Sequence, residues 1–270
     1  MAYRLRVQNT SPAEIDSFKT DNNLMARAAG RWFFVGMALV MIATSIAGFL
    51  PAIIEPATRR APLTLLVEAH GIAFFMWLFL YLTQSLLVAN GRVDLHRTLG
   101  LTSIVLLAVM IPLGFTTTTA MVRRGFDLSG DQDIGPRPDG QTSTDAPTAT
   151  VFNFAALLTF TILAVAALGY RRRPAVHKRL MLFANISLMV APIAHLGGHI
   201  GLSPAAFVAA YTILYTLFLL APVAFDYVTE KRVRFLTTGM AIGLFASQLL
   251  QAFVIGPSAA WHRFAEWMSQ

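Results

Sequence analysis

Cysteine is absent from all 270 residues. Disulfides, thiolate nucleophiles, iron–sulfur ligation and covalent haem attachment through a Cys-x-x-Cys-His motif are therefore excluded. Charge is scarce too, because Asp, Glu, Lys and Arg make up only 13% of the chain, about half the share of an ordinary soluble domain. Acidic residues are the rarer sign, 14 against 21 basic ones. No serine, lysine or paired-carboxylate constellation stands out in the apolar stretches as a nucleophilic or acid–base site. What fills the chain is hydrocarbon: 56% of residues are hydrophobic and the mean hydropathy is +0.59, values that place it in a bilayer.

A hydrocarbon core of about 30 Å needs about 20 apolar residues per crossing helix. Seven stretches meet that length: Trp32 to Ile54, Leu63 to Ala89, Thr98 to Met121, Val151 to Tyr170, Leu180 to Ile200, Pro204 to Val228 and Val233 to Ile255. Positive flanks stay cytoplasmic. With the N-terminus inside, all the Lys and Arg except Arg59, Arg60, Arg123, Arg124, Arg137 and Arg263 fall on inner flanks. The expected fold class is an all-α membrane helix bundle of seven transmembrane helices, N-in and C-out, with short amphipathic helices at both ends. The expected location is the cell's inner (plasma) membrane, multi-pass.

A net charge of +7 and a pI near 10.2 raise nucleic acid as a partner. The basic residues cluster beside helix ends, however, where anionic lipid headgroups account for them. The bilayer is the expected partner, and nucleic acid is not. No cleavable signal peptide is expected, since the first apolar run is too long for a cleaved h-region.

Outside the spans the domain plan is brief. Residues 1–31 form a cytoplasmic segment, 32–256 the seven-helix domain and 257–270 an interfacial C-terminal helix. Ser11, Pro12 and Glu14 read as an N-cap, a first-turn proline and a capping-box acid, predicting a short helix before the first span. Residues 122–150, rich in Asp, Gly, Pro, Ser and Thr, read as a flexible outer loop. Its Asp131, Asp133 and Gly135 match part of a calcium loop, but the closing glutamate is missing. Trp261, Phe264, Ala265 and Met268 recur at helical spacing, predicting an amphipathic helix on the outer surface with His262 toward water or headgroups.

The chemistry lies in the histidines, because ionisable groups inside a membrane are costly and need a partner. On the second span His70, Trp77, Gln84 and Gly91 form a heptad series drifting about 20° per step. On the fifth, His177, Met181, Asn185, Pro192, His195 and His199 fall within an arc of about 80° if any kink at Pro192 is ignored. Two polar seams in one bundle are expected to face each other. His70 and His195 lie at matched depth, roughly 8 to 10 Å below the outer helix ends, and His199 is one turn shallower. At the inner face His96 and His177 begin the look-alike strings HRTLG and HKRLM and can also pair.

Three readings follow. In the first, His70 and His195 are the two axial ligands of a b-type haem, with Gly71, Gly197 and Gly198 letting a flat macrocycle approach and Phe74 and Trp77 as walls. A second haem between His96 and His177 would have Arg92, Arg97 and Arg179 for its propionates. The function would be electron transfer, exchanging with a quinone or an outer redox partner protein. In the second reading His70, His195 and His199 hold a catalytic zinc with an open position for water, although Glu68, the nearest candidate base, points about 160° away from His70. In the third the histidines only hydrogen-bond neighbouring helices in a transporter, assembly or structural membrane protein. Gly239 and Gly243 make a small-residue face on the last span, suited to internal packing or a homodimer.

The stretch from His70 to Gly100, HGIAFFMWLFLYLTQSLLVANGRVDLHRTLG, together with HKRLMLFAN at His177 to Asn185, resembles an uncharacterised bacterial multi-span membrane family of unknown function. The matching pieces are His70, Gln84, Gly91, Arg92, His96, Arg97, Gly100, His177 and Arg179, about forty residues of the chain. The resemblance implies an integral-membrane fold and no particular activity. A looser similarity is to cytochrome b561-type proteins, which also place histidines on neighbouring helices. The His-x-x-x-His spacing of His195 and His199 is shared with seven-span zinc hydrolases such as ceramidases and adiponectin-receptor relatives. Those carry the pair in their last span, so the likeness is one of spacing.

Overall fold

The structure, a computed structural model, describes residues 12–58, 62–124 and 146–270, the side chains of 12–29, Ala146, His199 and Ser269 excepted. The described residues form helices and no strand: α1 (Pro12–Ile54), α2 (Leu65–Ala89), α3 (Val93–Arg124), α4 (Ala146–Gly169), α5 (Pro174–Ser187), α6 (Val190–His199), α7 (Pro204–Glu230), α8 (Phe235–Leu250) and α9 (Ala259–Ser269). Seven stretches are long and apolar enough to cross a bilayer: Gly30–Ile54, Leu65–Ala89, Val93–Arg124, Pro147–Gly169, Pro174–Gly198, Pro204–Glu230 and Phe235–Ile255. These coincide with the seven expected spans, the third, fourth and fifth beginning a few residues earlier.

α1 differs from expectation at its start. Pro12 opens one continuous helix that runs into the first span, with no break between a separate amphipathic piece and the membrane segment. α2 and α3 are joined by a tight turn in which Gly91 takes φ 75°, a left-handed conformation that costs glycine little. The expected calcium-like residues Asp131, Asp133 and Gly135 lie outside the described residues.

The fifth span is the centre of the bundle. Of its apolar window 67% is buried, against 17–44% for the other six. It is also broken, into α5 and α6, at Leu188 and Met189. Pro192 explains the break, since it has no N–H to donate and its ring excludes the carbonyl four residues earlier. Around this broken rod, α4, α7 and α8 pack on α5, while α1 and α7 pack on α6. α2 sits between α1 and α3, and α3 lies against α4.

The rim of the bundle is apolar. Phe235 is 94% exposed, Leu65 81% and Phe253 77%, and dozens of such side chains circle the helices. In water a patch of this extent would drive aggregation; against acyl chains it needs no cover. The chain is a polytopic membrane protein.

α1 and α6 approach so closely that only glycine fits at position 48. A Cβ there would collide with the Pro192 carbonyl oxygen and stand 3.1 Å from its carbonyl carbon. Backbone on both sides leaves no flexible group to yield. Gly48→Ala is expected to destabilise the bundle by about 1–3 kcal/mol, read as a lower melting temperature in detergent. Gly36→Ala, with nothing within 4 Å of its Cβ, should leave that temperature unchanged.

Candidate functional site

The two polar seams do face each other, at mid-membrane. Trp77 Nε1 donates to Asn185 Oδ1 at 3.0 Å, and Asn185, wholly buried, donates back to the Met181 carbonyl at 2.8 Å. Trp77 therefore spends its polar edge on Asn185 and its ring on Phe160, centroids 5.0 Å apart. Below and above this bond the seams behave differently.

At the arginine-rich end, α3 and α5 bring His96 and His177 together. Their ring centroids are 6.3 Å apart and the planes meet at 77°. Both rings are half-buried. His177 Nδ1 lies 2.7 Å from the Ala167 carbonyl, an acceptor only, so Nδ1 carries the proton and Nε2 keeps its lone pair. Gln84 of α2 closes the other side. Its amide is assigned with the oxygen accepting from Gly100 N–H at 2.9 Å and the nitrogen donating to the His96 carbonyl at 3.1 Å, which also sets that nitrogen 2.5 Å from His96 Nδ1. This orientation gives both ends of the Gln84 amide a partner.

At the opposite end stand His70 and His195. His70 on α2 stacks on Phe74, centroids 4.2 Å apart, and its Nδ1 is 3.2 Å from Thr117 Oγ1 on α3. Thr117 donates its only hydroxyl proton to the Leu113 carbonyl, so His70 Nδ1–H is the donor and Nε2 keeps its lone pair. His195, buried on α6, lies against Phe49 of α1, centroids 4.7 Å apart. The break at Leu188 and Met189 separates His195, on α6, from the seam residues Met181 and Asn185 on α5. His199 belongs to the side chains outside the description.

The glycines expected to make room at that end are unequal. Gly71 has nothing within 4 Å of its Cβ position, whereas the space at Gly197 is filled by the Phe207 ring, 2.7 Å away. Gly198 is exposed. Among the described residues no group of three or more His, Cys, Asp or Glu side chains is placed to hold a metal ion.

Two expectations are corrected. His262 does not turn to water: its Nε2 lies 3.0 Å from both the Gly256 carbonyl and Thr148 Oγ1, while Trp261 Nε1 donates to the Pro147 carbonyl at 2.6 Å, tying α9 to the start of α4. Arg179 is not available for a propionate. It is 3% exposed and donates to both carboxylate oxygens of Asp226 on α7, Nε to Oδ2 at 3.0 Å, with further bonds to Thr237 Oγ1 at 3.1 Å and Glu230 Oε1 at 3.3 Å. Arg97 stays at the surface beside Asp94, 3.9 Å away.

The Arg179–Asp226 pair is the strongest feature the sequence reading missed. Asp226 is 2% exposed and also accepts from Thr237 Oγ1 at 2.5 Å. A signal for it exists: Asp226 is the lone acid in an otherwise apolar stretch of the sixth span, and such residues pair inward. Gly239 and Gly243 face open space, with nothing within 4 Å of either Cβ position.

Comparison with known families, curated proteins and solved structures gives no match for this chain. Fold and site together define its class, a seven-span α-helical membrane protein with paired histidines at one end of its central seam.

Proposed function

We propose that this protein is a b-type haem protein of the inner (plasma) membrane that carries electrons, and that its ligands are His96 and His177. One observation carries the reading: two half-buried imidazoles on different helices, with centroids 6.3 Å apart. Two imidazoles sharing one metal through bonds of about 2.0–2.1 Å stand at close to this separation once the half-widths of both rings are added. The donor set also fits haem in number. A porphyrin supplies four nitrogens and asks the protein for two, whereas a hydrolytic zinc asks for three.

The surroundings fit as well. The Ala167 carbonyl bonded to His177 Nδ1 is the kind of outer partner that orients a ligating imidazole through Nε2. Gln84, whose side-chain amide lies 2.5 Å from His96 Nδ1, is the corresponding outer neighbour of His96. Arg92 and Arg97, exposed at the same end, suit the propionates. The bound group would supply one-electron chemistry, and a quinone or a redox partner protein would exchange with it. His70, with Nε2 free, remains the second position for a ligand, at the opposite end of the seam.

The test is optical. Protein purified in detergent from cells supplied with haem precursor is expected to show a Soret band and reduced-minus-oxidised α and β bands. A colourless preparation that binds zinc overturns the reading in favour of the hydrolase; one that binds neither leaves the transport or structural role.

A further inference from the structure

At the arginine-rich end, between the starts of α5 and α8, lies a cavity of about 340 Å³ whose lining includes Arg179, Arg232, Arg234 and Phe235. Three guanidinium groups reach it, and each has a different standing. Arg179 is spent on Asp226 and forms the floor. Arg234 donates to Glu230 Oε2 at 2.7 Å, a hydrogen bond that holds its guanidinium above the ordinary arginine range. Arg232 bonds the same carboxylate oxygen at 3.3 Å and is 69% exposed, so most of its donors are open.

The backbone adds to this field. Arg234 occupies the N-cap of α8 without a side-chain cap bond, so the N–H groups of the first turn have no intrahelical acceptor and point toward the cavity end. A helix start of this kind attracts anions. α8 is 16 residues long, enough for a full macrodipole contribution. The immediate charges, Arg179, Arg232 and Arg234 against Asp226 and Glu230, leave one positive charge in excess.

The lip of the cavity is greasy. Phe235 is 94% exposed and Val233 58%, both at the membrane boundary. Phosphate chemistry suits the interior, and an acyl chain suits the lip; a free phosphate ion would use only the first. We infer that this cavity is a binding site for the phosphate of an anionic phospholipid, with the acyl chains lying over Phe235 and Val233.

Thermal unfolding of the full chain in neutral detergent tests this, with dioleoyl phosphatidylglycerol, dioleoyl phosphatidylcholine and inorganic phosphate as separate additions. Saturable protection by the anionic lipid alone is expected. Arg232→Ala should raise the half-saturating lipid concentration about fivefold, and Arg232→Glu should raise it further. Arg172→Ala, at an exposed site off the cavity, should behave as wild type. Equal protection by both lipids, protection by inorganic phosphate alone, or unchanged lipid dependence in the Arg232 variants overturns the inference. Arg232 is exposed, so both variants are expected to fold.

Discussion

Asp226→Ala is expected to be the most damaging single change to stability in the described part of the bundle. It leaves Arg179 buried at 3% exposure with its main counter-charge gone. Breaking one side of such a pair costs about 3–5 kcal/mol, because the remaining charge keeps its desolvation penalty and loses the compensation. Glu230, 3.3 Å from Arg179 Nη2, recovers only part of that. The variant should accumulate poorly and unfold at markedly lower temperature or denaturant. The double variant Arg179→Met, Asp226→Leu should regain most of the loss, since an apolar pair of similar volume needs no compensation. If the double variant is as unstable as Asp226→Ala, the pair is not acting through charge. If Asp226→Ala is within about 1 kcal/mol of wild type, the carboxylate is not a partner of consequence.

The spans were legible because each is a long apolar run, and run length against bilayer thickness is a strong constraint. The pairing of His96 with His177 was legible as well, from two helix starts carrying the same HR or HKR string at the same depth. Matched depth alone, as for His70 and His195, is a weaker kind of clue. Depth fixes height along the membrane normal and says nothing about azimuth, which beyond the break at Pro192 depends on how α6 packs. A proline announces that a helix bends, but the direction depends on what the outer half packs against. α6 packs on α1 through Gly48, a contact between residues 144 positions apart, and no local pattern encodes it. Arg179 misled for a related reason: in the string HKRL it reads as an interfacial cation, although it lies one turn inside α5 and its partner is 47 residues away. The lone acid Asp226 was the available clue, because an uncompensated carboxylate in a span demands a cation at its own depth.

Haem binding sets the second large effect. His96→Ala and His177→Ala should each abolish a six-coordinate spectrum, because each removes one of the two axial nitrogens and no third imidazole is placed at that end. His70→Ala and His195→Ala should retain it: the first loses a hydrogen bond to Thr117 and the second a packing contact with Phe49. Gln84→Leu separates orientation from ligation. It keeps both imidazoles while removing the outer partner of His96, so the spectrum should persist with haem affinity lower by roughly 10–100-fold. Titration of the purified apoproteins with haem, followed at the Soret maximum, reads all five variants on one scale. Loss of the spectrum in His70→Ala and His195→Ala, with His96→Ala and His177→Ala intact, would move the ligands to the opposite end of the seam. Indifference to all four histidines would remove imidazole coordination, and with it electron transfer, from this fold.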